Sequence, residues 1–107
     1  MKVLSVCDAG NNRSVHVARK LKYVGHDVLT AGLTMNSTET LFLLFNWADI
    51  IITTAVDQII PEQFKSKVRL CNIGPDVYPR PMNRHLDKLV KKLLDQMLAA
   101  GQLTPAR

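Results

Sequence analysis

The chain opens on a β-rich, mostly apolar run, Lys2-Val3-Leu4-Ser5-Val6-Cys7, the pattern of a buried strand. From Arg13 to about Val24 the periodicity becomes helical: Val17, Ala18, Leu21 and Val24 recur at steps of three and four, and Gly25 offers a stop. Asp27–Ala31 forms a short second strand, followed by Gly32. Asn36 and Glu39 have the spacing of a capping box ahead of a helix over Thr38–Asn46. Ala48–Thr54 is a nearly continuous β-branched run, as expected of a central strand covered on both faces. A helical turn over Asp57–Phe64 with a break near Pro61, a fourth strand over Val68–Ile73 and a proline-rich loop over Gly74–Pro81 follow. In the last helix Leu86, Leu89, Val90, Leu93, Leu94, Met97 and Leu98 share one face, with Asn83 as cap and Gly101 as stop.

Strand then helix, four times over, is the α/β pattern: a parallel sheet with helices on both faces, a single-domain three-layer α/β/α sandwich. The length of 107 residues fits one domain over 1–107 and can bury a core without disulfides or metals. Residues 102–107 read as a frayed tail. No apolar run approaches the length needed to span a membrane, and no export signal is recognisable. The formal net charge of +5 favours anionic ligands in general. Nucleic acid is not indicated, because no basic patch is interleaved with aromatics, and Arg19–Lys22 and Lys88–Lys92 read as solvated helix faces.

The candidate chemistry lies between the first strand and the first helix, in Cys7-Asp8-Ala9-Gly10-Asn11-Asn12-Arg13-Ser14. Ligands of open parallel sheets bind beyond the carboxyl ends of the strands, where this loop falls. Backbone N–H groups of such a loop and a helix N-terminus make an anion site and favour the thiolate of a cysteine placed there. An arginine closing the loop grips two oxygens of a tetrahedral anion. Cys7 would attack phosphorus, Arg13 would stabilise the transition-state charge, and the Ser14 hydroxyl would support the thiolate. Gly10 allows a loop conformation closed to other residues, and Asn11 and Asn12 brace it. The bland alternative, a buried structural cysteine near a surface arginine, does not explain the strand before, the helix after and the serine beside the arginine. Asp8 would repel phosphate if turned inward, so it is expected to face solvent or brace a neighbouring loop.

Such chemistry needs a proton donor for the leaving atom. Asp76, on the loop after the fourth strand, is the best candidate, although aspartates beside proline are common turn formers. Asp57 is its rival on the same edge, and an N-cap for the following helix accounts for it better. Tyr78 either walls the pocket or packs on the sheet end. Cys71, inside the fourth strand run, reads as core, and Trp47 as core or helix corner. His16, His26 and His85 show no ligand spacing, so neither metal nor cofactor is expected. A nucleophilic thiol and only two cysteines, with no disulfide framework, point to a reducing cytoplasmic setting.

With these residues in view, the chain resembles the low-molecular-weight protein tyrosine phosphatases over most of its length. The resemblance rests on Val6-Cys7 leading into Cys-x5-Arg-Ser, on Thr30-Ala31-Gly32, on Trp47-Ala48-Asp49-Ile50-Ile51, and on a late aspartate loop at Asp76. It implies a four-stranded parallel sheet of order 2-1-3-4 and a two-step phosphocysteine mechanism, with Asp76 first acid and then base. The implied substrates are phosphorylated proteins or small phosphomonoesters. Val15 stands where the family usually has proline, Gly10 where it has the loop asparagine, and Asp76 precedes valine rather than proline. Two other chemistries use related parts. The B component of sugar phosphotransferase systems also carries phosphocysteine, and Cys7-Asp8-Ala9-Gly10 fits its loop. An arsenate reductase needs a relay of further cysteines, for which only Cys71 is present.

Overall fold

The computed structural model describes residues 1–8, 13–74 and 84–103. Among these, β1 (Lys2–Cys7), β2 (Asp27–Gly32), β3 (Ile50–Thr53) and β4 (Val68–Leu70) form one sheet in the order β2-β1-β3-β4. Every pairing is parallel, with Leu4 opposite both Leu29 and Ile51, and Thr53 opposite Leu70. The helices are α1 (Arg13–Tyr23), α2 (Thr38–Trp47) and α3 (Arg84–Ala99).

The central strands β1 and β3 are the most apolar, since each needs cover on both faces. Val3, Ile50 and Ile52 face Val17, Leu21, Leu86, Val90 and Leu94 of α1 and α3. Leu4, Val6 and Ile51 face Phe45 of α2 and Phe64. Phe45 and Phe64 meet with ring centroids 5.2 Å apart, and Phe42 closes the aromatic group edge-on to Phe64 at 5.5 Å. These two apolar layers hold the sheet rigid, so its carboxyl edge can present loops in fixed positions.

Local chemistry explains where the helices stop. In α1, Gly25 at φ 102° lets its N–H reach the Lys22 carbonyl and that of His26 reach the Leu21 carbonyl. Gly101 repeats the arrangement after α3 at φ 75°, with Gly101 bonded to Leu98 and Gln102 to Met97. The chain is therefore still ordered beyond α3: Leu103 is buried in the α1/α3 core, and the frayed tail expected from residue 102 does not begin there.

Other expectations are corrected in detail. The cap of α2 is Ser37, whose Oγ accepts from the Thr40 N–H at 3.2 Å. Asn36 instead turns back, its Oδ1 accepting from the Gly32 N–H at 2.8 Å, and so ties the end of β2. The helical turn expected at Asp57–Phe64 is a 3-10 helix at Glu62–Lys67, which starts only after Pro61. Lys67 on that helix donates to the carbonyls of Phe45 and Ala48 at 2.9 and 2.8 Å. It thereby supplies the cation that the last turn of α2 lacks. The strand expected over Ala48–Thr54 pairs over Ile50–Thr53, and β4 is the edge strand with only Val68–Leu70 paired.

Candidate active site

β1 ends on Cys7, and three neighbours hold that end. The Thr54 hydroxyl donates to the Val6 carbonyl at 2.9 Å. The Leu33 N–H donates to the Cys7 carbonyl at 2.9 Å. The Asp8 carbonyl accepts from both the N–H and the hydroxyl of Thr34, at 2.9 and 2.7 Å. With these carbonyls tied back into the fold, the chain leaves the sheet at Asp8 in a defined direction.

The first residues of α1 return to the same point. The Ser5 hydroxyl donates to the Ser14 carbonyl at 3.0 Å, a clasp between β1 and the start of α1. Ser14 Oγ lies 3.1 Å from Cys7 Sγ, both atoms buried. The first turn of α1 has no acidic residue, so its positive end is not neutralised from within the helix.

Arg13 is only 3% exposed, and its guanidinium is held from two sides. Nη1 donates to the Gly74 carbonyl at 2.6 Å, and Nη2 to Asp8 Oδ2 at 3.3 Å. Its Nε–H is buried with no hydrogen-bond partner among the described residues. A buried donor left unsatisfied is costly, and an anion's oxygen would satisfy it. Gly74 takes φ 86°, a backbone conformation glycine adopts without strain. Its N–H is fixed to the Thr54 carbonyl at 3.2 Å.

Behind this edge, Gln58 organises the turn after β3. Its Oε1 accepts from the N–H groups of Thr54 and Ala55 at 2.7 and 3.3 Å, and its Nε2 donates to the Thr54 hydroxyl at 2.9 Å. A buried amide satisfied in this way fixes a turn more firmly than apolar contacts do. A cleft of about 370 Å³ opens here, lined by Asp8, Arg13, Val56, Asp57, Asn72 and Gly74 among others. A larger hollow, about 540 Å³, lies at the opposite end of the sheet beside Lys2, Lys22, His26 and Trp47. It holds none of the candidate site residues.

Of the residues singled out from sequence, Cys7 and Ser14 come together and Arg13 reaches Asp8 and Gly74 at the same sheet edge, while Gly10, Asn11, Asn12, Asp76 and Tyr78 lie outside the described residues. Asp8 is more than half exposed and its carbonyl braces Thr34, as expected, and its carboxylate also meets the buried Arg13 guanidinium at 3.3 Å. Asp57 caps no helix; it sits in the turn after β3 and lines the cleft. Gln58 was not singled out by sequence. The available signal was a glutamine four residues after the buried Thr54 at a strand end. Cys71 is buried as expected, and burial pushes its thiol up to about 12.

Solved structures share this fold. A YwlE mutant from Bacillus subtilis aligns with a TM-score of 0.63 at 18% identity, covering 92% of this chain and 99% of that one. The YwlE arginine phosphatase from Geobacillus stearothermophilus aligns at 0.59 and 16% identity, covering 94% and 95%. A YwlE arginine phosphatase variant with serine for cysteine and a phosphorylated active-site serine aligns at 0.60 and 18%, covering 97% and 100%. No protein-family model matches the chain. No curated protein matches it either.

Proposed function

We propose that the chain is a cysteine-dependent phosphatase that moves a phosphoryl group from its substrate to water through a phosphocysteine at Cys7. The observation that supports this most is the buried contact of Cys7 Sγ with Ser14 Oγ, next in sequence to Arg13, whose Nε–H has no hydrogen-bond partner among the described residues. In the first step the Cys7 sulfur bonds to phosphorus as the bond to the leaving atom breaks, and Asp76 gives that atom a proton. In the second, Asp76 takes a proton from water, the water oxygen bonds to phosphorus, and sulfur departs as thiolate. Arg13 and the loop N–H groups around Gly10, Asn11 and Asn12 hold the phosphoryl oxygens throughout. Ser14 stabilises the thiolate before attack and at departure, and Tyr78 walls the substrate.

The substrate is a phosphorylated protein side chain or a small phosphate ester. Phosphotyrosine is the class that the sequence resemblance implies. The fold neighbours named as arginine phosphatases add phosphoarginine to it. The chemistry needs no cofactor, and its thiol suits the reducing cytoplasm. The carrier alternative has less support, because a carrier's loop does not generally need the buried arginine found here. The arsenate-reductase alternative would need a reactive second thiol, and Cys71 is protonated at neutral pH.

Turnover of para-nitrophenyl phosphate tests the proposal. Hydrolysis inhibited by orthovanadate is expected, with Cys7→Ser lowering it at least about 10³-fold. Labelling of Cys7 from a phosphohistidine protein without hydrolysis would replace phosphatase by carrier.

A further inference from the structure

We propose that the seam between α1 and α3 is a docking groove for a partner protein, and that its occupant is an acidic segment carrying an apolar side chain. The surface lies away from the Cys7 edge, and the proposal does not rest on the phosphatase reading.

Charge supplies half of the support. The two helices hold eight of the 14 lysines and arginines, four on each, but only two of the nine aspartates and glutamates. The rest of the chain, with six of the former and seven of the latter, is close to neutral. Both acids on the helices are already matched, Asp87 by Lys20 at 3.1 Å and Asp95 by Lys91 at 3.4 Å. Arg13 is turned inward to Asp8 and Gly74. The excess at the surface therefore belongs to Arg19, Lys22, Arg84, Lys88 and Lys92, all exposed. Such a surface attracts an acidic partner and repels a basic one.

Shape supplies the other half. A hollow of about 210 Å³ between Arg19, Lys20, Tyr23 and Asp87 shares Lys20 and Tyr23 with a second of about 240 Å³, lined by Leu21, Val24, Leu94 and Leu98 among others. Together they make one groove along the seam, cationic at one end and apolar at the other. Tyr23, common to both, is 91% exposed, and Val24 beside it is half-exposed. A large aromatic left in water where a charged hollow meets an apolar one is the composition of an interface anchor rather than of a solvated helix face. Leu21 and Leu94 are buried, so they can meet a side chain that enters the groove but cannot themselves enter a bilayer. Nucleic acid would leave the apolar end unused. A peptide segment uses both ends: its carboxylate meets Arg19 and Lys20 while its apolar side chain displaces water over Leu21 and Leu94.

The test selects, on the immobilised full chain, from short peptides that place glutamate or aspartate at varied spacing from leucine or phenylalanine. Fluorescence anisotropy then measures the selected peptide. Its affinity is expected to fall about tenfold when its acid becomes the amide, and about tenfold when its apolar residue becomes serine. On the protein, Arg19→Glu and Tyr23→Ala should each weaken binding about tenfold. Their circular dichroism spectra should match the parent, because both side chains are exposed. Leu43→Ala, at an exposed leucine of α2 on the other side of the sheet, should change nothing. No retained peptide, or binding that ignores Tyr23→Ala, overturns the proposal. Equal binding by the serine-substituted peptide reduces the face to general charge attraction and overturns it too. So would single-stranded DNA or phosphatidylglycerol vesicles that bind more tightly than any selected peptide and lose that binding in Arg19→Glu.

Discussion

Cys7 and Cys71 are equally hidden, each 1% exposed, and both lie at the carboxyl edge of the sheet. Their surroundings make them opposites. Cys71 follows β4 and belongs to the apolar layer under α1 and α3, where burial alone acts on it and holds the thiol protonated. Cys7 belongs to neither apolar layer; Ser14 Oγ at the start of α1 lies 3.1 Å from its sulfur. Equal burial therefore leaves the two thiols in different surroundings. Whether polar groups replace the lost water decides how readily a buried thiol ionises.

The strongest way to break the contrast is to alter Arg13, which precedes Ser14 at the start of α1. Arg13→Lys keeps the charge but loses the planar fork, along with either the bond to Gly74 or the grip on the anion. It is expected to lower kcat/KM about 10²- to 10³-fold in a para-nitrophenyl phosphate assay, with an unchanged circular dichroism spectrum. A loss below about tenfold would mean that Arg13 holds the loop rather than the phosphoryl group.

A change at the other thiol should leave activity alone. Cys71→Ser places a hydroxyl in an apolar layer and is expected to cost about 1–3 kcal/mol in urea unfolding. Its kcat should match the parent. Iodoacetamide at neutral pH should label Cys7 and leave Cys71 unmodified until the chain unfolds, as read by peptide mass spectrometry.

The smallest effect concerns the far side of α1, where Lys20 donates to Asp87 Oδ2 at 3.1 Å and His16 Nδ1 lies 3.7 Å from Oδ1. The Lys20 bond holds the Asp87 carboxyl below its ordinary range. This contribution is present above the unfolded carboxylate range and constant between pH 5 and 7. Burial lowers His16 and His26 below the ordinary histidine value of about 6.5. Their unfolded forms bind protons first on acidification, so stability is full above about pH 6.5 and falls as pH drops from there. Asp87→Asn should cost less than about 1 kcal/mol at pH 7.5, since the pair is half-exposed. It should also steepen the loss between pH 7.5 and 5.5, because Asp87 is the group that supports the protonated form of His16. A parent chain equally stable at both pH values would contradict this account.

Much of the architecture was legible along the chain because its signals are local. The β-branched run of β3, the 3.6-residue period of α3 and the glycines after α1 and α3 each act within a few residues. The Cys7–Ser14 spacing likewise marked where β1 hands over to α1. The misreadings have a common cause. Asn36 and Glu39 satisfy a capping box on paper, but Gly32 at the end of β2 competes for the Asn36 side chain, and Ser37 takes the cap. Asp57 looked like a cap for a helix that Pro61 delays.

By itself the sequence determined most of the strands and helices and that a cysteine, an arginine and a serine bracket one loop, because backbone propensity and spacing are short-range properties. Only the tertiary structure decided how the charges are used. It brought the Gly74 carbonyl to Arg13 across 61 residues and Lys67 to the end of α2 across 22. It also set Asp8 and Asp57 on one rim. Electrostatic and hydrogen-bond partners depend on distances in space, which the crossovers of a parallel sheet create between residues far apart in the chain.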